Sequence, residues 1–336
     1  MNFNWNNQRV TITGGAGFIG SNLARVLIDR GARVRLVDNL ERGRMEYIQP
    51  LIGPATFVNA DLKDGQACRN ALADTDVLFH LAAKVSGIKV YVNQPGSVLT
   101  NNMLIDANVL SSIVDTRIAR VFYASTTHVY PENLQMTPDA PPLAEDVALP
   151  ASPGLSYGWG KLLSEISLQG LAREHDWLRV SIARICGAYG YNQDIDLETA
   201  SVIPVFCHRA VRWPDLKPFR IWGTGEETRS YCFIDDIVEG LLRCIEGLDH
   251  TSLIAPFNLG AEGRHTIREI AETVVKVSGK DIQLEFDRGM KTTIWGQAIS
   301  NRLAGEYLNG WHPTVSLEEG IRRVYRHVAA RLAAAS

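Results

Sequence analysis

The chain has 336 residues, of which 46% are hydrophobic and 21% charged, and its formal net charge is −3. That balance describes a soluble globular protein of one large or two modest domains. No basic block or aromatic–basic interleaving points to nucleic acid, and no apolar run approaches the roughly 20 residues of a membrane span.

At the N-terminus, MNFNWNNQRVTIT lacks the basic and apolar regions of a secretory signal. Cys68, Cys186, Cys207, Cys232 and Cys244 are scattered, odd in number and never in CxxC spacing. Neither a disulfide framework nor a zinc site is expected, and a reducing cytoplasm is the expected location. Short β-branched runs then alternate with helical patterns. Strands are predicted at RVTIT (9–13), RVRLVD (33–38), TFVNA (56–60), DVLFHLA (76–82), RVFYAS (120–125) and RVSIARI (179–185). Between them FIGSNLARVLIDRG, GQACRNALADT, NNMLIDANVLSSIVDT and the segment after Tyr157 carry apolar residues at helical spacing. This alternation predicts an α/β fold with a doubly wound parallel sheet. After Tyr189 it breaks. SVIPVFCHRAV, HTIREIAETVVKVSG and LEEGIRRVYRHVAARL read as helices among loops and short strands, and are predicted to form a smaller, irregular C-terminal lobe.

The turn T-G-G-A-G-F-I-G (13–20) lies between the first strand and the first helix, and Gly15, Gly17 and Gly20 satisfy GxGxxG. Glycines there allow a tight turn and let backbone approach a pyrophosphate at a helix N-terminus. Asp38 closes the second strand about 20 residues on, where a carboxylate accepts from ribose hydroxyls and repels a 2′-phosphate. NAD is therefore expected; Arg42 and Arg44 keep NADP as the minority reading.

TGGAGFIG, Asp38, ADL (60–62), HLAA (80–83), AST (124–126) and Y157-G-W-G-K161 together resemble the extended short-chain dehydrogenase/reductase family of sugar-nucleotide epimerases and dehydratases. GTGEETRSYCFIDDIVEG (223–240) and NGWHPTVSLEEGI (309–321) extend the resemblance nearly end to end. It implies a Rossmann domain over 1–185, rejoined by 231–260, and a substrate-binding lobe over 186–230 and 261–336. It implies NAD contacts from Gly14, Gly17, Phe18, Ile19, Gly20, Asp38, Asn39, Asp61, Leu62, Leu81, Ala82, Ala83, Lys84 and Asn102, with Tyr157 and Lys161. Thr126, Tyr157 and Lys161 would be the catalytic set. Ser86, Gly87, Thr127, His128, Arg184, Arg229 and Arg302 are the candidates for a nucleotide-sugar substrate. Helices over 97–116 and 155–175 resemble those that pair across a homodimer.

Residues four apart share a helix face, so Lys161 is expected to hold its ammonium near the Tyr157 phenol. That charge, with the positive nicotinamide of oxidised cofactor, would lower a pKa ordinarily near 10 and make the phenol a general base. Glycine in a helix costs about 1 kcal/mol relative to alanine, so Gly158 and Gly160 are expected to leave room for cofactor and substrate.

Position 128 divides the subfamilies. Dehydratases carry Asp-Glu where this chain has Thr127-His128, and GDP-mannose 3,5-epimerases carry a catalytic cysteine at the position of His128. Y130-P-E132 and K84-V-S-G87 look like the latter group, but its second catalytic residue, a lysine, is missing near LETAS (197–201). An imidazole, with a pKa ordinarily near 6.5, is a competent base, so His128 is either an additional acid/base or a substrate contact. Epimerisation at carbon 4 needs only Thr126, Tyr157, Lys161 and NAD, and is the leading expectation. A dehydratase, a 3,5- or 5-epimerase, a net keto-sugar reductase and a non-catalytic dinucleotide sensor are the alternatives.

Overall fold

The computed structural model describes residues 3–85, 88–249, 251, 253–289 and 294–334. In chain order, the first half runs β1 (Arg9–Thr13), α1 (Phe18–Asp29), β2 (Arg33–Asp38), α2 (Met45–Ile48), β3 (Ala55–Asn59), α3 (Gly65–Leu72) and β4 (Val77–His80). It continues with α4 (Ile88–Asn93), α5 (Pro95–Thr116), β5 (Arg120–Thr126), α6 (Ser156–Glu174) and β6 (Arg179–Ile185). Local chemistry sets several boundaries. The Asp64 side chain accepts from the amides of Gln66 and Ala67 and starts α3. Arg117, in the left-handed region at φ 54°, ends α5.

The strands form a seven-stranded parallel sheet in the order β11-β6-β5-β4-β1-β2-β3, where β11 is Leu253–Leu259. Alternate residues face opposite sides. Ile12, Leu36, Phe79 and Phe122 pack in one core, while Leu78, Val121, Tyr123 and Ile182 pack in another with Cys68, Val109 and Leu168 of α3, α5 and α6. The order reverses at the β1–β4 edge, and open α/β sheets bind ligands outside the carboxyl ends of the strands at such a point. Two segments leave the sheet there: the glycine turn after β1, and residues 81–85 after β4. β11 is absent from the sequence-based strands. It is an edge strand containing Pro256, with a register irregularity between Ile254 and Phe257.

The later part holds small pieces. β7 (Ala188–Tyr189) pairs with β10 (Cys232–Phe233), and α7 (Val202–Val211) lies between them in sequence. β8 (Phe219–Trp222) pairs with β13 (Leu284–Asp287). β9 (Thr228–Arg229) lies between β12 (His265–Thr266) and β14 (Gly296–Gln297). Helices α8 (Ile234–Glu246), α9 (Ile267–Ser278), α10 (Arg302–Tyr307) and α11 (Leu317–Ala334) complete the chain. A capping box between Thr266 and Glu269 starts α9. All five cysteines are free and buried. Among the described residues no helix is long and apolar enough to cross a membrane.

Candidate active site

The glycine turn folds tightly on itself. Gly14 has φ +70°, and a Cβ there would stand 3.0 Å from the Ala82 amide nitrogen. A Cβ on Gly20 would collide with the Gly14 carbonyl, so only glycine lets α1 begin this close to the turn. Gly17 caps α1 without a side-chain acceptor, which leaves the first-turn N–H groups, those of Phe18 and Ile19 among them, open to an anion. Asp38 accepts from the amides of Ala16 (3.1 Å) and Leu40 (2.8 Å), which fix its carboxylate beside the turn. Burial raises its pKa against those two bonds.

On the β4 side, buried Asn102 ties residues 81–85 to α5. Its Oδ1 accepts from the Lys84 amide at 2.7 Å, and its Nδ2 donates to the Lys84 carbonyl at 3.1 Å. Leu81 and Ala82 donate their amides to the Thr13 carbonyl and hydroxyl. Lys84 pairs with Glu41 at 2.9 Å and Arg42 donates to the Val85 carbonyl, so the loops after β2 and β4 are joined. The Asn39 side chain accepts from the Glu41 amide. Asp61 pairs with Lys63 at the surface, whereas Leu62 is 5% exposed and packs in the core. Ser86 and Gly87 lie outside the described residues.

Tyr157 and Lys161 share the buried face of α6, at 8% and 1% exposure. The expected coupling between them is not what the structure contains. The Lys161 ammonium makes no hydrogen bond with a described residue; its Nζ lies 4.5 Å from the centroid of the Tyr123 ring, and the charges of Asp106 and Glu165 act on it. Burial, then Tyr91 and Asp106, push the Tyr157 phenol well above its ordinary range, and Lys161 is not among the groups acting on it. A dry site with two anions beside the lysine has replaced the simple phenol–ammonium pair. In the protein alone the phenol pKa is therefore raised, whereas the lowering read from sequence is an expectation for the protein with oxidised cofactor bound.

The Tyr157 ring is gripped on two sides. Tyr91 of α4 stacks on it at 5.3 Å and 15°, and His128 meets it edge-on at 6.0 Å. His128 sits in the short turn after β5, where the Thr126 hydroxyl accepts from the His128 amide. Gly158 explains its own presence here. A Cβ there would collide with the His128 carbonyl, so this glycine lets α6 press against that turn rather than making room for ligand. Gly160 faces Leu99 of α5, with a Cβ distance of 3.3 Å, and likewise serves helix packing.

His128 lines a cavity of about 130 Å³ with Val92, Tyr130, Glu132, Gly154 and Leu155. Burial and the nearby Arg229 charge lower its pKa to about 4, so the imidazole is neutral at pH 7. Arg229 donates to the carbonyls of Thr228 and Ile294, and Ile294 also borders the cavity. Thr127 is buried beside His128. Two of the predicted substrate arginines already have partners within the protein. Arg184, 4% exposed, donates both to Glu165 (3.0 and 2.8 Å) and to the Glu145 carbonyl and Tyr130 hydroxyl, so its guanidinium is consumed by the core. Arg302 pairs with Glu306 one turn on, in a largely exposed i,i+4 pair.

The family profile described as NAD dependent epimerase/dehydratase matches residues 10–260. The chain belongs to that family. Within this epimerase/dehydratase family it is 30% identical to GDP-mannose 3,5-epimerase of Arabidopsis thaliana over 95% of this chain and 81% of the relative. It is 32% identical to UDP-glucuronic acid decarboxylase 1 of the same plant, over 94% of this chain and 68% of that one. Among solved structures, UDP-glucose 4-epimerase from Thermotoga maritima superposes with a TM-score of 0.84 at 27% identity, covering 97% of this chain and 100% of the other. The protein is thus an NAD-dependent enzyme of the epimerase/dehydratase family, on a Rossmann-like α/β fold. The glycine turn, the free first-turn amides, the fixed Asp38 carboxylate and a buried ammonium short of partners all fit NAD.

Sequence reasoning passed over Tyr91 and Asp106, and Glu132 entered it only as part of Y130-P-E132. Tyr91 lies in a segment without a motif. Asp106 did carry a signal: it stands four residues after Asn102 in an otherwise apolar stretch, and both polar side chains prove buried on one helix face.

Proposed function

We propose that the chain is an NAD-dependent sugar-nucleotide 4-epimerase, with residues 186–230 and 261–336 forming the substrate lobe. The observation that carries this reading is the pairing of a buried Tyr157 with a neutral His128 at the sugar cavity, with no Asp-Glu pair beside them. Bound NAD+ supplies a hydride acceptor and a positive ring. Tyr157 is the group placed to take the proton of a sugar hydroxyl and later return it. Its raised pKa makes the phenolate a strong base once formed, and Lys161 adds a cation within the same dry face of α6. Thr126 holds the turn that presents His128. Arg229 supplies positive charge next to the cavity for the nucleotide diphosphate.

A second reading is favoured by one feature. The His128 ring makes no hydrogen bond with any described residue and borders the cavity, as a base acting at carbon 3 or 5 must. The similarity to GDP-mannose 3,5-epimerases supports it; a pKa near 4 speaks against it, since so weak a base removes a carbon-bound proton slowly. Incubation with UDP-, GDP-, CDP- and dTDP-hexoses in heavy water separates the two. Inversion at carbon 4 without exchange supports the first reading; deuterium at carbon 3 or 5 replaces it with the second. Tyr157→Phe is expected to abolish turnover while NAD stays bound, and unchanged turnover removes both.

The family's pairing helices carry exposed apolar side chains here, Met103 and Leu104 on α5 with Leu163 and Ile166 on α6. A cytoplasmic homodimer through these helices follows from the proposed function, and a monomer mass at micromolar concentration by light scattering would refute the dimer.

A further inference from the structure

Behind Lys161 lies a chain of buried polar groups that the proposed mechanism does not use. Register aligns Thr13, His80 and Tyr123 side by side across β1, β4 and β5. All three face α5. The Ala82 amide donates to the Thr13 hydroxyl at 3.3 Å, and that hydroxyl meets His80 Nδ1 at 2.7 Å. His80 Nε2 lies 3.0 Å from Asp106, which also accepts from the hydroxyls of Tyr123 (2.7 Å) and Ser164 (2.6 Å). Burial pulls the His80 pKa down, so the ring is neutral, with Nδ1 accepting from Thr13 and Nε2–H donating to Asp106.

Asp106 is 3% exposed, and three donors converge on one carboxylate. Burial would push its pKa up, but the Lys161 charge and the bonds from His80 and Ser164 outweigh that, so the group is ionised. Lys161 is in the converse position. Burial pulls its pKa down, opposed by Asp106 and Glu165. The charged and titratable groups facing it are Asp106 from α5, His80 from β4, Tyr123 from β5, and Tyr157 and Glu165 from its own helix. His80 is neutral, and Glu165 is already bound to Arg184 and to the Ser125 hydroxyl. Asp106 is the one full negative charge near Lys161 that no described cation neutralises by direct contact.

We propose that Asp106 is a positioning residue for Lys161: its carboxylate is the fixed counter-charge that keeps the ammonium protonated and in place beside the cofactor cleft. Thr13 and His80 tie that carboxylate to the loop carrying Ala82, so cofactor loop and lysine share one rigid support. The inference rests on the family assignment of Lys161, not on which carbon of the sugar reacts.

Asp106→Asn keeps the shape but removes the charge and replaces one acceptor oxygen by an N–H donor. In protein labelled with 13C at lysine Cε, the resonance lost in Lys161→Met identifies Lys161. Its titration midpoint is expected to fall by about one pH unit or more in Asp106→Asn. The alkaline limb of the kcat profile should move to lower pH by a similar amount, with Asp106→Glu restoring most of it. Should the asparagine variant fail to fold, Ser164→Ala, which frees one acceptor position without changing charge, should leave the midpoint near its original value while Asp106→Glu keeps it. An unchanged midpoint in folded Asp106→Asn, or a midpoint that falls in Ser164→Ala although the charge is kept, overturns the proposal.

Discussion

Two buried cations share Glu165 as a neighbouring charge, and they have opposite fates. Arg184 is closed in on every side, bidentate to Glu165 and donating to Tyr130 and Glu145. Lys161 is just as deeply buried, yet its ammonium makes no hydrogen bond with any described residue. A buried cation bonded through most of its donors is architecture. One left short of partners marks a place where something else must arrive. Sequence alone does not separate the two cases, because an arginine at the end of a strand looks the same whether its fork meets substrate or a glutamate.

Substitution should separate the pair. Lys161→Met is expected to reduce kcat by about a thousandfold, with a smaller stability loss than Arg184→Met, since Asp106 keeps its three donors. Arg184→Met leaves Glu165 buried without its bidentate partner, held only by the Ser125 hydroxyl, and should cost about 3–5 kcal/mol in urea unfolding. If the two variants lose equal stability, the distinction drawn here fails. Gly158→Ala sharpens the comparison from the same helix. Alanine is ordinarily the better helix former, yet the clash with the His128 carbonyl should make this change destabilising by about 1–3 kcal/mol and depress kcat, whereas Gly160→Ala should be nearly neutral.

The pH dependence of stability tests the neutral imidazole. His128 has a folded pKa near 4, below its ordinary 6.5, so between those values the unfolded chain binds the extra proton. Stability is therefore expected to fall as pH drops from about 6.5 to 4, by roughly 3 kcal/mol at most from this residue. Urea titrations of His128→Gln should show a shallower acid decline; an identical slope would mean the ring is not held neutral by its surroundings. Smallest of all, Arg302→Ala removes an exposed i,i+4 pair and should change stability by less than about 0.5 kcal/mol, with kcat/KM for the nucleotide-sugar unaltered. A large rise in KM would put Arg302 at the substrate site.

Much of this was legible beforehand where local rules govern. β6 runs over the residues predicted for it, and the glycine turn stands between β1 and α1 as its spacing requires. β4 is shorter than predicted, at 77–80 against 76–82, because residues past His80 leave the sheet to bond Thr13 and Asn102. Strand β11 was missed since a proline and a register shift hide its alternation. The Tyr157–Lys161 spacing was visible, but not the charges around it. Asp106 and Glu165 reach Lys161 only through tertiary packing, and that packing sets which way each proton equilibrium leans.

The five thiols offer a last use. Each lies in a different part of the fold, on α3, at the end of β6, on α7, on β10 and on α8, and each is shut off from solvent with burial raising its pKa. Alkylating reagents attack thiolates at accessible sulfur, so the native protein should be nearly inert to them at neutral pH. Whatever labelling does occur then clocks transient openings of each region separately, and peptide mapping of the labelled sulfurs would show whether sheet and lobe come apart together or in turn.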